Sequence, residues 1–463
     1  MRLTSPARDR APLRCALTGA RGGYGRSLLA QLASTPELLP SVLVDPDVEG
    51  VAAMLAELAD GTRDDPSAAA RPGAEPALDA AAASAILVSG GTVLAAGPDA
   101  VPWDDLDILV EASGKIGPGC AYARQALRHG VHVVMVSKEV DTVAGPALAG
   151  LAAEAGLSYL PADGDQPANL LRLADWVAAV GLDVVAMGKS AEHDLLLDPA
   201  AGTLTQDGVS IPAPGFTDLL TLGADAPATL ASRAALAAGL KRSAAADPCE
   251  MTVVAQRLGI GADVEQMHYP IARIDELADV YARREHGGLI GSEAALDVFS
   301  ALRLPGEASF AGGVFAIVRT GDPATWELLR EKGHVISRDG RYACLYWPYH
   351  LMGVETPLTL HAAADGRPGR AVRASTILAA RAARDLDAGT EFHVAGHHHE
   401  IDGVDPVMIA PVPEATAFYL LDGARLRRPV RAGELIGAQD LEGLDPLAHE
   451  LHRAGREDAG TAG

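Results

Sequence analysis

The chain has 463 residues, enough for two or three domains each with its own core, and is therefore no mini-protein held together by disulfides. Its 61 Asp and Glu against 38 Lys and Arg give a formal net charge of −23, a field that repels phosphate backbones and anionic headgroups and argues against nucleic acid or membrane surfaces as partners. With 48% hydrophobic residues, 49 Gly and 30 Pro, the composition is that of a loop-rich globular protein in which an anionic ligand must find a local positive site.

The segment Met1 to Pro12 is charged and has no apolar stretch behind it, and no later run offers 18 uncharged apolar residues, so neither export signal nor membrane span is expected. Cys15, Cys120, Cys249 and Cys344 are widely separated with no C-x-x-C pair, which fits a reducing, cytoplasmic setting and neither zinc nor a disulfide framework.

In chain order, the apolar run from Leu13 to Thr18 leads into Gly19-Ala20-Arg21-Gly22-Gly23-Tyr24-Gly25 and then the helical pattern Arg26 to Leu32. Ser41 to Val44 predicts a second strand, ending at Asp45-Pro46, and Val51 to Leu58 a helix. Gly61 to Glu75, rich in Ala, Asp, Pro and Gly, predicts a surface loop or insertion. Alternation resumes with strand Leu106–Glu111, helix Tyr122–Leu127 closed by Gly130, strand Val131–Val136, helix Pro146–Glu154 and strand Leu157–Leu160, a pattern that calls for a parallel sheet covered on both faces.

Asp165-Gln166-Pro167 opens a helix through Val180, followed by strand Asp183–Met187 ending at Gly188-Lys189. Ser190 to Thr229 has weak periodicity, Leu230 to Leu258 predicts one long helix, and Ala311 to Val318 a strand. Arg341 to Leu360 is dense in aromatics and ends in helical character, Pro368 to Arg373 resembles a linker, and residues 374–444 carry short β-prone runs around two similar turns, D-L-D-A-G-T and V-R-A-G-E-L. Residues after Pro446 form a polar tail.

The strongest chemical signal is Gly19-x-x-Gly22-x-x-Gly25 between a strand and a helix, with Asp45 at the next strand end. Gly19 permits the tight turn, Gly22 admits a pyrophosphate against the backbone, and Gly25 lets helix and strand close, while the helix N-terminus faces the phosphates. Gly23 and Tyr24 complete this loop. A carboxylate at Asp45 accepts ribose hydroxyls and repels a 2′-phosphate, which favours NAD; Arg21 could pair with such a phosphate, which keeps NADP open. Glu111, Ala112, Ser113 and Gly114 end a strand on the edge that would face the cofactor. Lys138 follows the next predicted strand, within reach of a nicotinamide ribose or a substrate oxygen.

Gly19 to Gly25, Val110 to Gly114 and Val133 to Lys138 resemble the cofactor half of homoserine dehydrogenase, and the glycine loop is similar in spacing to that of dihydrodipicolinate reductase. Gly164 to Pro167, Asp175-Trp176, Val184 to Lys189, Pro348 to Leu351 and Glu355 to Leu358 resemble a narrower group, the homoserine-dehydrogenase-like oxidoreductases with a C-terminal SAF domain, which includes the deoxyxylulose-phosphate-reductoisomerase-like enzyme. The resemblance runs over about residues 13 to 440. It implies an α/β protein with an N-terminal Rossmann domain, an inserted α+β catalytic domain whose chain returns to the first domain near Pro348, and a small C-terminal β-clip (SAF) domain. The corresponding boundaries are 13–162, 163–340, 341–373 for the return segment and linker, 374–444, and a tail at 445–463. A homo-oligomer is also implied, and for the reductoisomerase-like member NADPH and a divalent metal. Lys138 stands where that member would carry an apolar residue, and Leu240 to Met251 matches D-G-T-K-S-x-x-E-M only loosely.

Lys189 at a strand end could polarise a carbonyl or act as general acid. Asp165 is first of all an N-cap, compatible with a substrate-binding helix start. Lys241 and Glu250, nine apart, would share a helix face. His350 and Glu355, five apart, would diverge on a helix. Of His393, His397, His398, His399 and Glu400, at most two imidazoles of a strand can converge, so no metal site is expected there. The expected activity is NAD(P)-dependent hydride transfer to or from a small polyhydroxylated or phosphorylated carbonyl or alcohol, with metal-assisted reductoisomerisation or a non-catalytic dinucleotide sensor as alternatives.

Overall fold

A computed structural model describes residues 11–61, 73–396 and 398–460 of the chain. The chain divides into two compact units, the first formed by residues up to Ser137 with Leu148–Asp163 and Leu351–Arg370, the second by Lys138–Ala147, Gly164–His350 and Ala371 onward.

The first unit is built on seven strands: β1 (Leu13–Thr18), β2 (Leu38–Val44), β3 (Ala74–Ala77), β4 (Thr92–Ala95), β5 (Ile108–Glu111), β6 (His132–Met135) and β7 (Tyr159–Pro161). They lie in the order β3-β4-β2-β1-β5-β6-β7, and every pairing is parallel. Parallel neighbours require crossovers, supplied by helices α1 (Gly23–Leu32), α2 (Val48–Gly61), α3 (Ala80–Val88), α4 (Ile116–Arg128) and α5 (Lys138–Glu154). Order reverses at β1, next to both β2 and β5, and the carboxyl ends of these strands form the edge where such sheets take ligands. Leu17, Leu28, Leu29, Leu43 and Val110 pack in the core beneath that edge, joined by Leu360 and Ala363 of the later helix Thr356–Ala364.

Three local expectations change here. Residues 62–72 of the expected loop lie outside the described residues, but Glu75 belongs to edge strand β3, since the Ala-rich segment completes the backbone pairing of β4. Strand β4, four buried residues, had too short an apolar run to stand out. Helix α5 starts at Lys138, eight residues before the expected start at Pro146; Pro146 sits inside it, where its missing N–H costs one hydrogen bond without ending the helix.

The second unit opens with α6 (Gln166–Ala179) and carries a nine-stranded sheet. Its strands are β8 (Asp183–Ser190), β9 (Leu195–Asp198), β10 (Thr203–Gln206), β11 (Val209–Pro212), β12 (Ile271–Ala272), β13 (Ala295–Arg303), β14 (Val314–Arg319), β15 (Val335–Ile336) and β16 (Ala343–Trp347). The order is β11-β10-β9-β13-β8-β14-β16-β15, with β12 paired to β13. The weakly periodic stretch after Ser190 is therefore three strands. Asp207-Gly208, both at positive φ, joins β10 to β11 as a two-residue hairpin turn.

The expected single helix over Leu230 to Leu258 is two, α7 (Ala226–Leu236) and α8 (Ala246–Leu258). Pro248 falls in the first turn of α8, the position where its ring and missing N–H cost least, and Gly239 weakens the helical tendency of the chain before it. His350 and Glu355 do not share a helix: His350 lies in a loop of the second unit, while Glu355 is the N-cap of the helix Thr356–Ala364 in the first.

Beyond residue 371 the second unit adds a four-stranded antiparallel sheet, β17 (Ile377–Ala382), β18 (Val394–Ala395), β19 (Glu400–Ile401) and β20 (Val404–Ile409), in the order β17-β20-β19-β18, and the pair β21 (Arg425–Leu426) and β22 (Leu441–Glu442). The polar segment after Pro446 contains a helix, Pro446–Gly460, on which His452 is buried. All four cysteines are buried and none forms a disulfide among the described residues. Among the described residues no helix is long and apolar enough to cross a membrane.

Candidate active site and cofactor cradle

The glycine loop of the first unit has the geometry its sequence predicts. Gly19 adopts φ +63°, and a Cβ there would collide with the carbonyl oxygen of Ala112. Gly22 is the extended N-cap of α1, with no side chain over the helix end. A Cβ at Gly25 would strike the carbonyl of Ala20, so this glycine lets helix and strand approach. Nothing lies within 4 Å of the space a Gly23 side chain would take, which leaves the loop's backbone accessible. A dinucleotide pyrophosphate fits this cradle of bare backbone at a helix N-terminus.

Asp45 is already engaged at the end of β2. Its carboxylate accepts the backbone N–H of Arg21 (3.0 Å) and of Asp47 (3.0 Å), so it ties the glycine loop to the β2 end. The Arg21 guanidinium faces Asp47 at 3.5 Å. The Tyr24 hydroxyl meets Thr356 at 2.6 Å.

Glu111 is fully buried at the end of β5, and burial raises its carboxyl above the usual carboxylate range despite hydrogen bonds that oppose the shift. One oxygen accepts the Ser113 backbone N–H (3.0 Å), the Ser113 hydroxyl and the Thr18 hydroxyl (3.2 Å); Oε2 has no hydrogen-bond partner. The Ser137 hydroxyl accepts the Gly114 N–H at 2.8 Å. Glu111 to Gly114 therefore form one hydrogen-bonded turn beside Gly19.

In the second unit four expected residues from four elements converge. Lys138, the first residue of α5, donates to Glu250 of α8 at 2.7 Å and lies 3.4 Å from Asp165. Lys189, near the end of β8, pairs with Glu250 and, at 2.8 Å, with Asp247. Asp165 caps α6, accepting the Gln166 N–H at 3.0 Å. With its amide oriented to satisfy the network, Gln166 donates to both Glu250 oxygens at 2.9 and 3.0 Å. Tyr269 donates its hydroxyl to Asp247 at 3.3 Å. Asn169, one turn into α6, donates to the Tyr349 carbonyl at 3.2 Å and so ties the loop bearing His350 to the same helix.

The electrostatics separate the two lysines. Burial alone would lower both ammoniums, but Asp165 and Glu250 hold Lys138, and Asp247 and Glu250 hold Lys189, above the ordinary lysine value. The two ammoniums in turn hold Glu250 below the carboxylate range against its own burial. Lys189 is 2% exposed and enclosed by carboxylates, whereas the Lys138 side chain is 22% exposed. His350 is kept neutral by burial, its Nδ1 without a partner, although Asp165 and Glu250 pull the other way.

Lys241 does not join this cluster. It lies in the break between α7 and α8 and pairs with Glu400, both side chains largely exposed, because Pro248 ends the helical register that would have carried it beside Glu250. The histidines near residue 398 also go separate ways: His393 faces Glu391 (3.9 Å), His398 faces Glu192 (3.4 Å) and His399 pairs with Glu139, while His397 lies outside the described residues. Asp247, Tyr269 and Gln166 are the members of the network that sequence reasoning did not single out as site residues; Asp247, three residues before Glu250 on a helix face, was the readable signal.

A divalent metal does not fit the cluster as it stands. The oxygens of Asp165, Asp247 and Glu250 are engaged by lysine, glutamine and tyrosine donors, and among the described residues no group of three or more His, Cys, Asp or Glu is arranged to hold a metal ion.

No curated protein matches the chain. Among solved structures, a 3-ketoreductase from Actinomadura kijaniata in complex with NADP and TDP-benzene is 14% identical, with 78% of this chain and 92% of that one covered at a TM-score of 0.33. 1-Deoxy-D-xylulose 5-phosphate reductoisomerase from Zymomonas mobilis in complex with NADPH is 19% identical over 39% of this chain, with a TM-score of 0.27. The WlbA dehydrogenase from Bordetella pertussis in complex with NADH and UDP-GlcNAcA is 20% identical over 41% of this chain and 45% of that one, with a TM-score of 0.24. The chain spans about half the length of the reductoisomerase structures it matches, 46% in the Zymomonas case. At such scores none of these likenesses bears on function. One family comparison covers the converging residues themselves: residues 164–356, with Asp165, Lys189, Asp247 and Glu250 among them, match the family model of oxidoreductase DRL, catalytic domain.

Proposed function

We propose that the protein is an NAD(P)-dependent oxidoreductase that exchanges hydride with a small hydroxylated or phosphorylated carbonyl or alcohol. The observation that carries this reading is the convergence of Lys138, Asp165, Lys189 and Glu250 in the unit whose residues match an oxidoreductase catalytic domain. The glycine cradle of the first unit supports a dinucleotide, whose nicotinamide supplies the hydride acceptor or donor when bound.

In this reading Lys138 donates hydrogen bonds to the substrate oxygen and offsets the negative charge that develops on it during hydride transfer. Its raised pKa keeps it a cation at neutral pH, so in the reducing direction it stabilises the alkoxide and gives it the proton that completes the alcohol, solvent then restoring the ammonium. Glu250 and Asp165 orient the Lys138 ammonium, and Lys189 holds Glu250 in place from behind. Asp45 at the end of β2 supports NAD, since its carboxylate opposes a 2′-phosphate. The sheet β17–β20 is read, on the sequence resemblance, as the SAF-like module.

Fluorescence titration of the purified chain with NADH and NADPH, followed by a turnover panel of hydroxylated and phosphorylated aldehydes and ketones, tests the proposal. Tight cofactor binding without turnover on any compound would remove the enzymatic reading in favour of a sensor.

A further inference from the structure

A second feature of the second unit lies beside the lysine cluster. A cavity of about 970 Å³ is walled by Lys241, Arg242 and Ser243 from the break before α8, by His268 and Tyr269, and by residues 400–406 of the β19–β20 hairpin. Its volume suits a small metabolite.

Several of the charges around this cavity are paired. Lys241 pairs with Glu400, His268 lies between Asp297 and Asp263, and Asp402 is taken by Arg384. Among the described residues Arg242 has no carboxylate partner: it donates one bond, from Nη1 to the Tyr269 carbonyl at 2.7 Å, and burial lowers its guanidinium below the usual arginine value. In a chain of net charge −23, a half-buried guanidinium facing a cavity without a counter-ion is an open position for one. The loop that frames it is held in an uncommon conformation, with Met267 and Tyr269, on either side of His268, both at positive φ (59° and 47°). Glu400 and Asp405 also line the wall, so the anion must be small and sit on the Arg242 side.

We propose that this cavity binds a phosphate-type anion, with the Arg242 guanidinium as its forked donor and the Ser243 hydroxyl and Lys241 ammonium in support. The Lys241–Glu400 pair is exposed and weak enough to exchange partners. Tyr269 lines the cavity and bonds Asp247, the partner of Lys189, so the anion site and the lysine cluster share one wall. That link deepens the oxidoreductase proposal and rests on it: the anion is the phosphate of the substrate. A free phosphate held as an effector has the same chemistry, and the experiment separates the two.

Calorimetric titration of the full chain with inorganic phosphate should show saturable binding, weakened at least tenfold in Arg242→Gln and less in Arg242→Lys, with circular dichroism confirming that both variants fold. Binding that is absent in the wild type, or equal in Arg242→Gln, overturns the proposal. Competitive inhibition of turnover by phosphate identifies the substrate's group, while non-competitive modulation identifies an effector. NADPH titration of Arg242→Gln should match the wild type, so failure of the dinucleotide reading shows separately from failure of the anion site.

Discussion

Replacing Lys189 by Met tests the electrostatic account of the cluster most directly. In the wild type the ammonium is 2% exposed, 2.8 Å from Asp247 and paired with Glu250. Its removal leaves two buried carboxylates facing the methionine side chain. Breaking a buried pair costs about 3–5 kcal/mol. The lower end applies here, because Glu250 keeps Lys138 at 2.7 Å and Asp247 keeps the Tyr269 hydroxyl at 3.3 Å. About 3 kcal/mol is a large part of a stability of roughly 5–15 kcal/mol, yet leaves the variant folded at 25 °C. The expected drop in melting temperature is about 5–10 °C by calorimetry. Hydrogen exchange should show the loss of protection concentrated in α8.

The pH dependence carries a sign. Glu250, depressed in the folded state, contributes stability that is present above its unfolded value of 4.5 and lost as pH falls through its folded value. Lys189, raised in the folded state, contributes stability that is present below its unfolded value of 10.5 and lost only as pH rises through its folded value. The gap between wild type and Lys189→Met should therefore be flat between those unfolded values and narrow in acid, where a carboxylate of the variant takes up a proton. A gap under about 1 kcal/mol at neutral pH, the size expected of an exposed ion pair, would refute the buried counter-ion role. So would a gap that fails to narrow in acid.

Lys138→Met, at the more accessible ammonium, should lower kcat/KM by about 10²–10³-fold with a smaller loss of stability than Lys189→Met, which steady-state kinetics and melting curves on one preparation can compare. Gly19→Ala combines a positive φ with a collision against the Ala112 carbonyl, so NADH affinity should fall at least tenfold in a fluorescence titration; unchanged affinity would mean that the loop is not the cradle. For Glu111, raised in the folded state, the stabilising contribution is present below its unfolded value of 4.5 and lost as pH rises through the folded value, so Glu111→Gln should equal or exceed the wild type in melting temperature at neutral and alkaline pH. A loss of several degrees at pH 8 would show that the ionised form is the one the fold requires.

Sequence was most informative where local chemistry constrains the backbone. The strand, glycine loop and helix from Leu13 to Leu32 were legible because only glycine accommodates the φ at Gly19 and the close approach at Gly25. Asp165 was legible as an N-cap from its place before Gln166-Pro167, and α6 begins there. The hairpin β10–β11 was also readable in principle, from its Asp207-Gly208 turn, but weak alternation around it hid the strands. The expected long helix is two because apolar periodicity continues across residues 237–245, whereas Gly239 disfavours helix there and Pro248 suits the first turn of a new one.

What the sequence by itself determined is the alternating α/β pattern of the first unit, its strand, glycine loop and helix, and a short set of charged residues at element ends. What only the tertiary structure decided is which of those charges meet. Lys138, Asp165, Lys189 and Glu250 are separated by up to 112 residues, and each ammonium alone reads as a surface charge; burying them together makes each the counter-ion that the others need. Lys241 has the same side chain and stays outside, because a helix break turns it toward Glu400, and Arg242 beside it lines a cavity in which, among the described residues, no carboxylate pairs with it. Side-chain type is local, but desolvation and pairing are properties of the packed fold, and these are what set the charge state on which the chemistry depends.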